Sequence, residues 1–170
     1  MMQASPRPNG LRFLENLAYL VPGYHAYRQP ALRREEDSRL RARVNEQIRQ
    51  MLELLEAVHN HWHPHGSAAH LDELDRQRLR LMTISTAVRQ GPYDHWSFFE
   101  TNALREGTIE RILEADLLIL QDLEESLEHV GAGQSIGSAR TAGVFLRDLT
   151  DKLDQLEQHL IMRERVLASV

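Results

Sequence analysis

Cysteine is absent from this chain, lysine occurs once, and aromatic residues make up only 6% of it. Without thiols there is no disulfide, no thiolate zinc site and no cysteine nucleophile. Runs of β-branched residues are missing too, which argues against a sheet. The longest strongly apolar run, residues 117–120, falls far short of the roughly 20 residues that cross a bilayer. Residues 1–10 are polar, contain Pro6 and Pro8, and show no apolar stretch of signal-peptide type. An extended or disordered N-terminus and a cytoplasmic setting are therefore expected.

What is present is leucine at helical spacing. Apolar side chains recur at three- and four-residue steps at Leu40, Val44, Ile48, Met51, Leu55, Val58 and Trp62, and again at Leu146, Leu149, Leu153, Leu156 and Leu160. At 3.6 residues per turn each set makes one apolar stripe on a charged helix, and such a stripe must be buried. The pattern predicts helices over 31–62, 68–89, 108–130 and from between 134 and 139 to 168, with a short helix over 11–21. Pro22-Gly23, Pro64-Gly66, Gly91-Pro92 and Gly131-Ala132-Gly133 supply the stops, with Ser67 and Thr108 as N-caps. Residues 93–104 read as one short helix or an ordered loop. The fold class is all-α: an antiparallel bundle of four main helices plus a short N-terminal one, forming a single domain over 11–168.

Charge is unevenly spread. Residues 1–50 carry nine arginines against five acids, and residues 51–170 carry eleven bases against twenty acids. Arg33, Arg34, Arg39, Arg41 and Arg43 could grip an acidic partner, or pair with the later acidic helix that holds Glu106, Glu110, Glu114, Asp116, Asp122, Glu124, Glu125 and Glu128. With a net charge of −5, nucleic-acid binding is not expected. A membrane-surface role for residues 11–21 is disfavoured because Arg12 is that segment's one base.

Histidines are the sharpest local cluster. His59, His61, His63, His65 and His70 lie within twelve residues, and the pairs 59/63 and 61/65 are one helical turn apart. Imidazole suits zinc, copper, nickel or iron, so His59, His61, His63 and His65 form a candidate metal site. The simpler reading is a solvated helix C-terminus, where partly protonated imidazoles suit the negative dipole end. Glu56-x-x-His59 has the spacing of ferritin-like di-iron bundles, but the second such motif is missing. The stretch around Gly131, Gly133 and Gly137 lacks the dinucleotide and phosphate-loop patterns. Its small residues, with Ala139 and Gly143, instead suggest close backbone approach. No serine elbow or His-Glu-x-x-His occurs, so neither enzymatic activity nor a cofactor is expected.

Two phrases carry a resemblance. Val21-Pro-Gly-Tyr24-His-Ala-Tyr27 followed by Leu32-Arg-Arg-Glu-Glu-Asp37 resembles a pattern in small bacterial all-helical proteins, in which a Pro-Gly-Tyr-x-x-Tyr connector precedes an Arg-Arg-x-x-Asp helix start. Tyr93-Asp-His-Trp-Ser-Phe-Phe99-Glu100, ahead of Glu114-Ala-Asp116-Leu-Leu, is similar to that family's second marker. Trp96 departs from it, since a smaller residue is usual there. The resemblance implies a helical fold and brings no activity or cofactor; the histidine cluster is not part of it.

Most aromatics thus sit in two connectors, where they either brace one end of the bundle or form a docking surface. The residues nominated for an interaction surface are Tyr24, Tyr27, Arg33, Arg34, Trp96 and Phe99. The expected function is a non-enzymatic adaptor or scaffold working through helix-to-helix contacts, with a protein partner or a homo-oligomer. The last helix is its best docking face, left exposed near Arg163, which interrupts the leucine stripe. The alternative is a metal-binding or metal-sensing bundle that uses the histidine cluster.

Overall fold

Each leucine stripe becomes one long helix, and the stripes meet along a common axis. The computed structural model describes residues 17, 20–64, 66–91 and 95–170, with Trp96 described by its backbone alone. A 3-10 turn at Pro30–Leu32 leads into α1 (Arg33–Trp62); α2 (Ala68–Gln90), the short α3 (Trp96–Glu100), α4 (Glu106–Ala132) and α5 (Ala139–Ala168) follow. No strand occurs among the described residues, and no described helix is long and apolar enough to cross a membrane. The expected N-terminal extension over 1–10 and most of the 11–21 helix lie outside the described residues. Of that helix, Leu17 and Val21 are buried in the core.

The four long helices form a square in which α1 packs on α2 and α4, and α5 packs on α4 and α2. Side-chain pairs give the directions. Asn45–Ser85 and Arg41–Val88 set α1 antiparallel to α2. Asp116–Arg163, Asp122–His159 and Glu125–Lys152 set α4 antiparallel to α5. Gln77–Thr150 and Arg80–Glu157 run in step, so α2 and α5 are parallel. Successive long helices alternate in direction as expected, but the connection through α3 crosses the diagonal, from α2 to α4.

Local chemistry places the boundaries. Ser67 and Ser138 cap α2 and α5, their hydroxyls accepting from the amides of His70 (3.3 Å) and Thr141 (3.2 Å). The expected Thr108 cap is not one: α4 begins at Glu106, and Thr108 is buried inside its first turn. The expected stop at Gly131-Ala132-Gly133 falls at its last residue: α4 runs to Ala132 with Gly133 as its C-cap, and a 3-10 turn at Gly133–Ser135 follows. Along the axis, Ile48, Met51, Leu55, Leu81, Ile112, Leu123, Leu149, Leu153 and Leu156 are fully buried. Each such leucine contributes on the order of 2 kcal/mol relative to exposure. This rigid frame has two unlike ends: a connector end, holding residues 21–32 and α3, and a hairpin end, holding the two interhelical turns.

Candidate functional site

The connector end is built around one carboxylate. Asp116 lies on the core stripe of α4 and is 0% exposed. Its Oδ2 accepts from the Tyr24 hydroxyl at 2.6 Å and the Tyr27 hydroxyl at 3.0 Å, and its Oδ1 accepts from Arg163 Nε at 2.6 Å. Arg163 Nη2 also donates to the Tyr27 hydroxyl (3.0 Å) and, across the bundle diagonal, to Asp37 Oδ1 (2.5 Å). Asp37 Oδ2 in turn accepts from Arg41 Nε at 2.7 Å.

Protonation follows from this wiring. Burial, then the Asp116 charge, push both phenols well above their ordinary value, so each keeps its proton and donates. Burial pushes the Asp116 carboxyl up, while Arg163 and the phenols pull it back. For Asp37, burial is outweighed by Arg163 and Arg41, which hold the carboxyl below its usual range.

The connector itself is clamped. Ala26 (φ +61°) and Tyr27 (φ +55°) are both left-handed, a conformation costing L-residues roughly 1–2 kcal/mol each. Two charged side chains hold the turn: Tyr27 N–H donates to Glu36 Oε2 (2.7 Å), and Arg33 Nε donates to Tyr27 O (2.8 Å). Arg33 Nη1 also reaches Phe98 O (3.1 Å) and Thr101 O (2.6 Å), tying the two aromatic connectors together. Tyr24, Tyr27 and Phe98 pack edge to face in series.

These contacts correct the nominated interaction surface. Tyr24, Tyr27, Arg33 and Phe99 are buried and brace the bundle end; a partner cannot reach side chains already spent on the core. Arg34 stays exposed, bonded to Glu100 (2.8 Å) and lying 4.9 Å over the Phe99 ring. The Trp96 side chain lies outside the described residues. The expected exposure at Arg163 is overturned as well, because that guanidinium is 3% exposed and satisfied by Asp116, Asp37 and Tyr27. Arginines at the start of α1 do not mainly pair with α4 either. Arg39 bonds Glu35 and Arg41 bonds Asp37 within their own helix, since neighbours one turn apart meet first.

Accessible space lies on the other side of Arg163. A groove of about 800 Å³ opens between α2 and α5. Leu40, Val44, Ile84, Val88, Ile119 and Leu160 line its floor, and Ile161 lies on its rim, 51% exposed. Small residues explain the opening: Thr83, Ala87 and Gly91 on the α2 side and Ala168 on α5 do not fill the gap. Met82 (55% exposed) and Leu79 (64%) are also exposed on α2, but outside the groove lining. Beyond Gly91 a second cavity of about 360 Å³ is lined by Arg34, Asp37, Arg41, Asn45, Arg89 and Phe99.

The hairpin end offers less. Trp62 Nε1 donates to Gly133 O (3.2 Å), Trp62 packs edge-on against Phe145, and His129 stacks on Phe145 while bonding its carbonyl (3.0 Å). Gly133 is the close approach expected of the small-residue stretch: a Cβ there would lie 2.8 Å from both Phe145 and Val58. Among the described residues, no three of His, Cys, Asp and Glu converge to hold a metal ion. The His59 and His63 rings are 6.2 Å apart, and His61 and His63 point to solvent. α1 ends at Trp62, so the 61/65 pair lacks its helix; His65 lies outside the described residues. Glu56 is exposed near Arg78, not turned inward as a di-iron ligand must be. One acid–imidazole pair, Asp122 and His159 at 2.5 Å, lies between α4 and α5 and is not part of the groove.

The sequence reading missed the groove and the Asp116–Arg163 centre. A signal for the latter existed: Asp116 falls on the stripe of Ile109, Ile112, Leu120 and Leu123, and Arg163 extends the stripe of Leu156 and Leu160. An acid and a base on two apolar stripes are candidates for mutual burial. No protein-family model, curated protein or solved structure matches this chain.

Proposed function

We propose that this chain is a non-enzymatic adaptor or scaffold that receives an α-helix of a protein partner in the groove between α2 and α5. The observation that carries the reading is the groove itself, apolar at its floor and with the exposed Ile161 on its rim, in a bundle whose other apolar stripes are spent on the core. Its α5 wall runs from Glu157 to Ala168, about 17 Å at 1.5 Å per residue, or three helical turns. An amphipathic helix with anchors at i, i+3 or i+4 and i+7 has the matching shape. The docking face is thus the flank of α5 shared with α2, while the leucine stripe of α5 stays inside. A cytoplasmic setting belongs to the same proposal.

The test is capture of a partner from host extract by the native chain and by Ile161→Glu and Ala87→Glu variants, both at groove-lining positions. Both substitutions are at exposed positions, so circular dichroism and the urea midpoint stay unchanged. Recovery of the partner falls at least about tenfold, because a buried charge opposes docking. Equal recovery by all three proteins would remove the groove from the function.

A further inference from the structure

We infer that the helix received by the groove is the outer edge of α5 from a second copy of this chain, so that two copies pair about a two-fold axis. This rests on the docking reading above and names the partner of that same groove. Ile161, Arg165 and Ala168 lie on the edge at i, i+4 and i+7, the anchor spacing that fits the groove, and all three are exposed. Ridge and recess therefore belong to one surface. Ile161 is the ridge, and the small residues Ala87, Gly91 and Ala168 leave the recess. A two-fold pairing needs such a surface, because whatever one copy offers the other must receive.

Spacing along α5 sets the register. Arg80 on α2 bonds Glu157 on α5, and Gly91 and Ala168 each lie eleven residues further on, so the recess is level with Ala168. Two antiparallel α5 edges that bring Ile161 of one copy to Ala168 of the other also set residue 164 against residue 165, since both pairs share one midpoint. Each Glu164 then faces the Arg165 of the other copy, and the contact is made twice.

Charge on the edge agrees with that register. Glu157 is spent on Arg80, at 2.9 and 2.7 Å. Glu164 lies 3.2 Å from His95 and 3.6 Å from Arg41, yet its side chain stays 40% exposed. A carboxylate has about four acceptor sites, so these ties leave Glu164 able to accept from a further guanidinium. Arg165 forms no ion pair with a carboxylate among the described residues. The groove walls thus carry both signs, and the helix that matches them carries both signs too, as α5 does. Net charge of −5 on each copy opposes association, and the two crossed pairs offset part of that repulsion.

Sedimentation velocity across a concentration series is the test, with circular dichroism as the control for folding. The native chain sediments as a dimer. Ile161→Glu raises the dissociation constant at least about tenfold, because a charge replaces the ridge that enters an apolar recess. Arg165→Glu alone and Glu164→Arg alone each set like charges face to face and weaken the dimer by a similar factor. An equimolar mixture of those two variants regains a dimer with one copy of each, in which both crossed pairs are again opposite in sign. A dimer indifferent to Ile161→Glu, or a mixture no more associated than its components, overturns this inference. A strict monomer overturns it as well. If the groove variants of that monomer still lose a foreign protein from extract, the docking reading stands; if they recover every protein equally, that reading falls too.

Discussion

The two ends of this bundle solve the same problem with opposite chemistry. At the hairpin end, Trp62, Phe145 and Val58 close over Gly133, and the polar tips of Trp62 and His129 are capped by backbone carbonyls. At the connector end the closure is made by the buried Arg163, Asp116, Tyr24 and Tyr27, with the partly buried Asp37. An apolar closure tolerates small adjustments, whereas a buried charge pair holds only if every partner is present. The accessible groove lies beside the second closure, with Arg163 as part of its wall. Rigidity beside the groove is the gain that the polar end offers over the apolar one.

Four measurements break or sharpen this contrast. The largest effect is expected from Arg163→Met, which strands Asp116 and removes a partner from Asp37 and Tyr27; urea unfolding should show a loss of about 3–5 kcal/mol. Combining it with Asp116→Leu should restore only part of that loss, because the stranded charge is gone but the buried Tyr24 and Tyr27 hydroxyls lose their acceptor. A single substitution costing under about 1 kcal/mol would mean the network is not closed as described.

Acid comes next. Asp37 titrates below its usual range, so the folded state binds its proton less readily than the unfolded chain. Its contribution is complete above the unfolded value of about 3.9 and is lost as pH falls through the lowered folded value. Asp116 is shifted the other way, so its ionisation costs stability as pH rises through its raised value, and protonation relieves that cost. Between pH 5 and 2, as approximate limits around the ordinary carboxylate range, urea midpoints of Asp37→Asn should fall less steeply than those of the native chain. Parallel curves would remove Asp37 as an acid-sensitive tie.

At the hairpin end Gly133→Ala drives a methyl against Phe145 and Val58 and should cost about 1–3 kcal/mol. An unchanged urea midpoint would show that this end opens without strain. Smallest of all, His61→Ala and His63→Ala should move stability by less than about 0.5 kcal/mol, as is usual for exposed side chains. Isothermal titration with zinc should then be the same for native and variant chains; a tight stoichiometric site lost in both would restore the histidines to a functional role.

Much of the architecture was legible residue by residue. Leu40 to Trp62 at helical steps announced α1, and Ser67 after Pro64 and Gly66 marked where α2 begins. Thr108 misled because its hydroxyl suits a cap while Ile109 and Ile112 already belong to a helix that starts two residues earlier, at Glu106. The docking residues were misplaced for a different reason. Tyr24, Tyr27 and Arg33 are rich in polar atoms and sit in or beside a connector, features that describe an exposed contact and a buried brace equally well. The groove left no pattern, since it arises where Ala87 and Gly91 at the end of α2 come beside Ala168 at the end of α5, two sites far apart in the chain that only packing brings together.

Sequence alone determined that the chain is helical, where its long helices lie and which stripe each one buries, because 3.6-residue periodicity and capping act through neighbours a few positions apart. Tertiary structure decided which helices are diagonal, that Asp116 and Arg163 meet inside, and that α2 and α5 stand apart beside Gly91. Those outcomes depend on how whole surfaces fit and on charges 47 residues apart finding each other out of water, and no local spacing encodes them.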